Sequence, residues 1–367
     1  MDTSPQAQRD QPFNWWRLGL LVFLSSVLVG GIFLWSSKPL EPQFQGKPLS
    51  SWLAKLDTGR FNVVDFDPVL DRDAAYAVQQ IGASATPCLV ARLKSALAAE
   101  RTFFQLQDWP IKLPFKLMEA QLNQRMKRGR EAQIAFAILG EVATNAIPEL
   151  EAMIPGQEVQ SESVLQALAA IGPASLGILS NAMQSSDYWL PQNAIIAAKK
   201  LGKDGAPLVP LLVAMLDDPK HSRNDGLIVR SLGKIGEPQE IVMPALHRSL
   251  LNTNDSVAGN AALGFMFMGG QGREAVPDIE RRLITQEGKV NCFAVLSLVV
   301  LSTNDEQLLL AMEQAKSLRV PNELDEQIKP PHEVFAQIRS TWTNCNARER
   351  KALFAEIRGL ISVTRTN

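Results

Sequence analysis

Small and apolar residues recur along the chain in one order ahead of a series of glycines. Gly82, Gly140, Gly172, Gly202, Gly236 and Gly269 each follow an apolar residue, and after a first gap of 58 residues their spacings are 32, 30, 34 and 33. One position before them stand Ile81, Leu139, Ile171, Leu201, Ile235 and Met268; four before stand Val78, Phe136, Leu168, Ala198, Leu232 and Phe265. Five before are the small residues Ala77, Ala135, Ala167, Ala197, Ser231 and Gly264, and eight before are Ala74, Ala132, Val164, Ala194, Ile228 and Ala261. These four offsets share one face of an α-helix. The pattern predicts a helix ahead of each glycine, buried along one stripe and small enough at the fifth position to admit a neighbouring backbone. Glycine then ends the helix, because it takes the left-handed conformation without steric cost.

A second apolar segment follows each turn, at 88–97, 147–153, 176–183, 209–216, 243–251 and 276–283. Each period thus predicts a helix–turn–helix unit. Pro87 and Pro207 fall five residues after their glycines, and Pro148, Pro244 and Pro277 fall eight after. Proline is tolerated in the first turn of a helix, so the two offsets imply two turn lengths. Ser302 lies 33 residues after Gly269, with Leu301, Leu298, Ser297 and Ala294 at the four stripe offsets, and reads as a seventh unit with serine for glycine. After Leu318 the period lapses at Pro321, Pro330 and Pro331. A stack of such units needs an end with a polar outer face, which assigns 319–367 as a C-terminal helical cap.

Residues 18–35, LGLLVFLSSVLVGGIFLW, carry no charge. At about 1.5 Å per residue they span about 27 Å, close to the hydrocarbon thickness of a bilayer. Trp15, Trp16 and Arg17 before the run and Trp35 and Lys38 after it are interface anchors. A cleaved secretory signal fits less well: the run is long for that role, and Trp35, Ser36, Ser37, Lys38 and Pro39 make a poor cleavage site. The reading is one retained transmembrane helix. Arg9 and Arg17 nearly balance Lys38 and Lys47 across it, but Arg17 abuts the span. That favours a cytoplasmic N-terminus and a large extracytoplasmic, periplasmic-side domain. Ser26 and Gly30 form a small-residue pair of the kind that can pair such helices.

The succession of Ala-rich helix, apolar–Gly, short turn with proline and second apolar helix resembles bacterial HEAT repeats, closest to the short type found in phycobilisome-lyase-like proteins. The resemblance covers about residues 70–318. FQGKPLSSWL at 44–53 resembles a juxtamembrane segment of membrane-bound bacterial members, and here predicts a first helix near Ser50 with Trp52, Leu53 and Leu56 on one face. The tetratricopeptide repeat has a similar period, but its Trp, Leu-Gly, Tyr and Pro signature is missing. The resemblance implies an all-α fold: a right-handed α-solenoid of HEAT-like helix pairs following one N-terminal transmembrane helix. The divisions are a tail at 1–17, the transmembrane helix at 18–36, and a juxtamembrane segment with first helix at 37–69. Repeats follow at 70–318, interrupted by an insert near 100–130, and the cap closes the chain at 319–367.

The insert holds Phe103, Phe104 and Trp109, and its seven basic residues, Arg101, Lys112, Lys116, Arg125, Lys127, Arg128 and Arg130, outnumber Glu100, Asp108 and Glu119 in a chain of net charge −1. Aromatics beside basic residues, here Phe103, Phe104, Trp109, Arg125, Lys127 and Arg128, are candidates for binding a partner. The plainer reading is an elongated second helix, a covering loop and the start of the next unit with solvated charges. The near-neutral total argues against nucleic acid as the partner.

Catalytic patterns are hard to find. His221, His247 and His332 share no metal-binding spacing, and Cys88, Cys292 and Cys345 form no CxxC. There is no GxxxxGK[ST] loop and no GxSxG elbow. Gly269, Gly270, Gln271 and Gly272 resemble a phosphate loop only loosely, in a turn where glycine serves chain reversal. No catalytic, metal or cofactor residues are assigned. The expectation is a non-catalytic, membrane-anchored scaffold that meets a protein partner through its repeat surface. The family resemblance keeps a bilin-lyase-like enzyme or chaperone open, and the small-residue pair a self-associating envelope element.

Overall fold

Helix α6 shows how the pattern folds. Its SESVLQALAAI sequence turns Ser161, Val164, Leu165, Leu168 and Ile171 inward with Ala167, and all are buried. Gly172 then takes a φ of +112°, where a β-carbon would be strained, and the chain reverses into a short 3-10 turn and the next helix. The computed structural model describes residues 41–61, 68–107, 112–154, 161–282 and 292–301. The expected transmembrane helix, Trp109, Ser302, His332, Cys345 and the C-terminal cap lie outside them.

The described chain is all-α in class, with two very short antiparallel pairings. Strands β1 (Gln43–Phe44) and β2 (Lys47–Pro48) turn through Gln45 and Gly46, both at positive φ. They lead into α1 (Leu49–Leu56), which buries Leu49, Trp52, Leu53 and Leu56. The Trp52 indole donates to the Phe44 carbonyl at 3.3 Å and ties the hairpin to the helix. Strands β3 (Asp57–Phe61) and β4 (Pro68–Leu70) follow. These pairings of a few residues carry no readable alternation, and the sequence pattern did not anticipate them.

The helices then run α2 (Arg72–Ile81), α3 (Thr86–Gln107), α4 (Lys112–Leu139), α5 (Ile147–Glu151), α6 (Ser161–Ile171), α7 (Leu176–Met183) and α8 (Leu190–Ala198). They continue as α9 (Val209–Asp217), α10 (Asp225–Ile235), α11 (Gln239–Leu250), α12 (Asp255–Met268), α13 (Val276–Glu280) and α14 (Cys292–Leu301). Each even-numbered helix from α2 to α14 packs on the even-numbered helix before and after it, and the odd-numbered helices pack against these from one unit to the next. Every residue eight, five and four positions ahead of the six glycines is buried, from Ala74, Ala77 and Val78 to Ala261, Gly264 and Phe265. Ala294, Ser297 and Leu298 of α14 are buried likewise. Burying one large side chain such as Phe136 or Phe265 contributes about 1.5–3 kcal/mol.

Two buried polar contacts cross between units inside this apolar interior. Ser231 Oγ donates to the Ile195 carbonyl at 2.9 Å, and Asn193 Nδ2 donates to Ser161 Oγ at 3.0 Å. Each satisfies a group whose desolvation would otherwise destabilise the stack.

The prolines acquire one common setting. Pro87, Pro148, Pro210, Pro244 and Pro277 each stand two residues before a fully buried aliphatic side chain: Leu89, Leu150, Leu212, Leu246 and Ile279. Pro210, rather than Pro207, occupies the first turn of α9, while Pro207 lies within the 3-10 turn Lys199–Leu208. Turn length varies ahead of the proline, four residues in Gly82–Ala85 against seven in Gly140–Ala146, and the core register after it does not. Pro244 sits inside α11, because that helix begins earlier, at Gln239.

Among the described residues the insert is helical, the second helix of the first unit and the first helix of the next both being elongated. Helices α3 and α4, of 22 and 28 residues, form an antiparallel hairpin about 33 and 42 Å long. A β-carbon on Gly129 would come within 2.4 Å of the Ala96 β-carbon, so the glycine admits the close crossing. Arg92 and Glu131 pair across it at 2.9 Å, their side chains 14% and 7% exposed.

Candidate partner-binding surfaces

The hairpin carries a basic surface. Arg125, Lys127, Arg128 and Arg130 on α4 are exposed, as are Lys94 and Arg101 on α3. Met118 of α4, 40% exposed, adds an apolar side chain. Phe103 is partly buried, and Phe104 belongs to the last turns of α3. Helical periodicity spreads these cations around α4 instead of into one stripe, while Leu122, Gly129 and the Arg92–Glu131 pair hold its inner side.

The odd-numbered helices present a plainer face. Pro87 and Ala91 on α3, Pro148 and Ala152 at α5, and Pro210 and Ala214 on α9 are exposed pairs at equivalent positions, with Gly177 and Asn181 of α7 exposed in the unit between. Farther along the face becomes charged and cross-linked. Arg248 reaches Asp217 at 2.8 Å, and Arg281 reaches Asp278 at 2.8 Å. His247 lies between Glu274 and Asp278, at 3.3 and 3.6 Å, with its ring over Phe265.

A third surface lies where successive units join. Tyr188 and Trp189, between α7 and α8, meet edge to face with centroids 4.9 Å apart and are 57% and 40% exposed. Arg223, from the 3-10 turn Pro219–Asn224, lays its guanidinium 3.7 Å from the Tyr188 ring centroid and donates to the Tyr188 carbonyl. The loop is set by Asp187, whose Oδ1 accepts the amides of Trp189 at 2.7 Å and Leu190 at 2.9 Å. Sequence reading passed over this cluster, since its members lie 35 residues apart outside the repeating stripe. A Tyr-Trp pair in an otherwise polar loop was the available signal.

The titratable groups are dispersed. Burial pushes the Glu100 carboxyl above its ordinary range, with Glu162 adding to the rise and Arg130 opposing it. Burial likewise raises Asp225, against the pull of His221. Asn224 Nδ2, Asp225 Oδ1 and Thr86 Oγ1 are buried without a hydrogen-bond partner. Among the described residues no three His, Cys, Asp or Glu side chains come together as a metal site, and no helix is long and apolar enough to cross a membrane. Cys88 is partly buried on α3. In the 269–272 turn, a β-carbon on Gly272 would lie 1.9 Å from the Phe265 carbonyl oxygen, so this glycine serves the approach of two backbones.

Compared with known proteins, the chain matches no family model and no curated sequence.

Proposed function

We propose that this protein is a non-catalytic scaffold: a HEAT-type α-solenoid held at a membrane by residues 18–36, which binds a protein partner along its repeat surface. The observation that carries this reading is the recurrence of one helix pair, with the same offsets buried in every glycine-ended helix and each unit packed on its neighbours. Such a stack stabilises itself locally and leaves long continuous faces for recognition. The cations of the α3–α4 hairpin offer the partner a positive surface, and the exposed Pro–Ala pairs of α3, α5 and α9 offer small apolar contacts. The uncharged run at 18–35 with its flanking Trp and Arg residues supports the anchor, and Arg17 supports an extracytoplasmic repeat domain.

Affinity capture of crosslinked complexes from native membranes tests the reading. A reproducible partner that depends on residues 70–318 is the expected result. Recovery of the same proteins by the anchor alone, or of none above background, would overturn it.

A further inference from the structure

The first elements after the uncharged run gather aromatics and lysines. The Phe44 ring on β1 meets Trp52 of α1 and Tyr76 of α2, with centroids 6.2 and 6.0 Å apart. Lys47 and Lys55 carry their ammonium groups over the Trp52 ring, 5.0 and 5.7 Å from its centroid. Trp52 is buried beneath them, whereas both lysines are exposed and Tyr76 is 54% exposed. The Trp52 indole bond to the Phe44 carbonyl holds the hairpin on α1, so the group is ordered before anything touches it.

Reach is the first feature that selects what covers this surface. Residues 36–42 join the uncharged run to β1, and a chain of that length extends about 25 Å at most. With the run in a bilayer, the headgroups are presented to the cluster at an effective concentration of about millimolar. Chemistry is the second. A tyrosine with a polar tip and lysines on apolar stems suit the headgroup region, which is apolar on one side and wet on the other. Charge is not the selector, because Glu41 and Asp73 offset Lys47 and Lys55, with Asp73 one turn before Tyr76. A strongly charged partner would need an excess of one sign.

We infer that the β1–β2 hairpin with α1 and α2 docks on the bilayer interface. Tyr76 enters the headgroup layer, and Lys47 and Lys55 extend their ammonium groups to lipid phosphates. The inference rests on the anchor in the scaffold reading and holds for either orientation of that anchor. It fixes the first unit at the membrane and leaves later units to the partner.

The chain has two tyrosines, Tyr76 and Tyr188, so 3-fluorotyrosine gives two fluorine signals, assigned through Tyr188→Phe. Full-length protein is placed in phosphatidylcholine nanodiscs with or without a lipid bearing a gadolinium chelate on its headgroup. The Tyr76 signal should relax at least about threefold faster than that of Tyr188, three even-numbered helices further on at about 8–10 Å each. A tether alone brings Tyr76 near the bilayer, so the decisive form inserts about twenty Gly and Ser residues after Ser37, which lets the domain drift about 25 Å further. Docking predicts that the Tyr76 enhancement survives with less than about twofold loss, whereas a bare tether predicts a fall of about tenfold. In the lengthened protein, Lys47→Glu with Lys55→Glu should lower the enhancement at least about threefold. Thermal melting confirms that this variant folds; should it not, the insertion alone decides.

Loss of enhancement on insertion, or equal enhancement at both tyrosines, would overturn the docking and leave the anchor intact. A Tyr76 signal unaffected by the lipid that shifts when the captured partner is added would assign the surface to that partner. Release of the protein from membranes by alkaline carbonate would overturn the anchor and the docking with it.

Discussion

Gly233 of α10 and Gly264 of α12 bring two backbones together: a β-carbon on Gly233 would lie 2.1 Å from the Gly264 α-carbon. No rotamer change relieves such a clash, because the obstacle is backbone. Gly233→Ala should therefore destabilise the protein by about 1–3 kcal/mol, more than the helix propensity gained. Gly177→Ala in α7 meets nothing within 4 Å and should be neutral to stabilising by up to about 1 kcal/mol. Paired denaturation curves separate the two, and a Gly233→Ala protein as stable as wild type would contradict this packing.

The Arg92–Glu131 pair, closed at 2.9 Å inside the α3–α4 hairpin, predicts strong non-additivity. Arg92→Met leaves a buried carboxylate without its partner and should cost about 3–5 kcal/mol. The double variant Arg92→Met/Glu131→Met should recover much of that loss, since no buried charge remains. A double-mutant cycle with additive terms would show that the two side chains do not act together.

Glu100 sets a pH dependence. Its native carboxyl holds a proton more tightly than the ordinary value of 4.5, chiefly through burial. The native state thus binds more protons than the unfolded state between that value and the raised one, and stability falls as pH rises through this window. Glu100→Gln should raise the melting temperature at pH 7 and flatten the profile in that range. An unchanged pH profile would place Glu100 in water.

The exposed cations of α4 should contribute to binding and little to folding. Arg125→Glu, Lys127→Glu and Arg128→Glu together should leave the melting temperature near wild type, since all three are exposed. Partner capture should fall sharply and the residual binding should lose its salt dependence. Equal capture by the variant would move the contact to another face.

The helical class was legible because apolar positions repeat with the helical period and because small residues recur five positions ahead of each glycine. The prolines were harder. Pro207 matches the offset of Pro87 from its glycine, yet Pro210 takes the corresponding place before the buried Leu212, since turns vary in length where helices do not. The 58-residue gap signalled an insert without revealing that Gly129 against Ala96 would make it a tight helical hairpin. The Tyr188–Trp189–Arg223 cluster depends on two loops meeting in space, and no periodicity reports that. The Gln45–Gly46 turn joins strands too short to alternate.

The most direct test of the scaffold reading is site-specific photocrosslinking in native membranes. A photoreactive residue is placed in turn at Lys127 on the hairpin, at Ala214 on α9, and at Ser256 in the first turn of α12 as a reference site. The scaffold account predicts a discrete adduct of one mass from Lys127, Ala214 or both, weaker or absent from Ser256, and diminished by the Arg125→Glu/Arg128→Glu background. Indistinguishable adducts from all three sites, or none from Lys127 and Ala214, would contradict it.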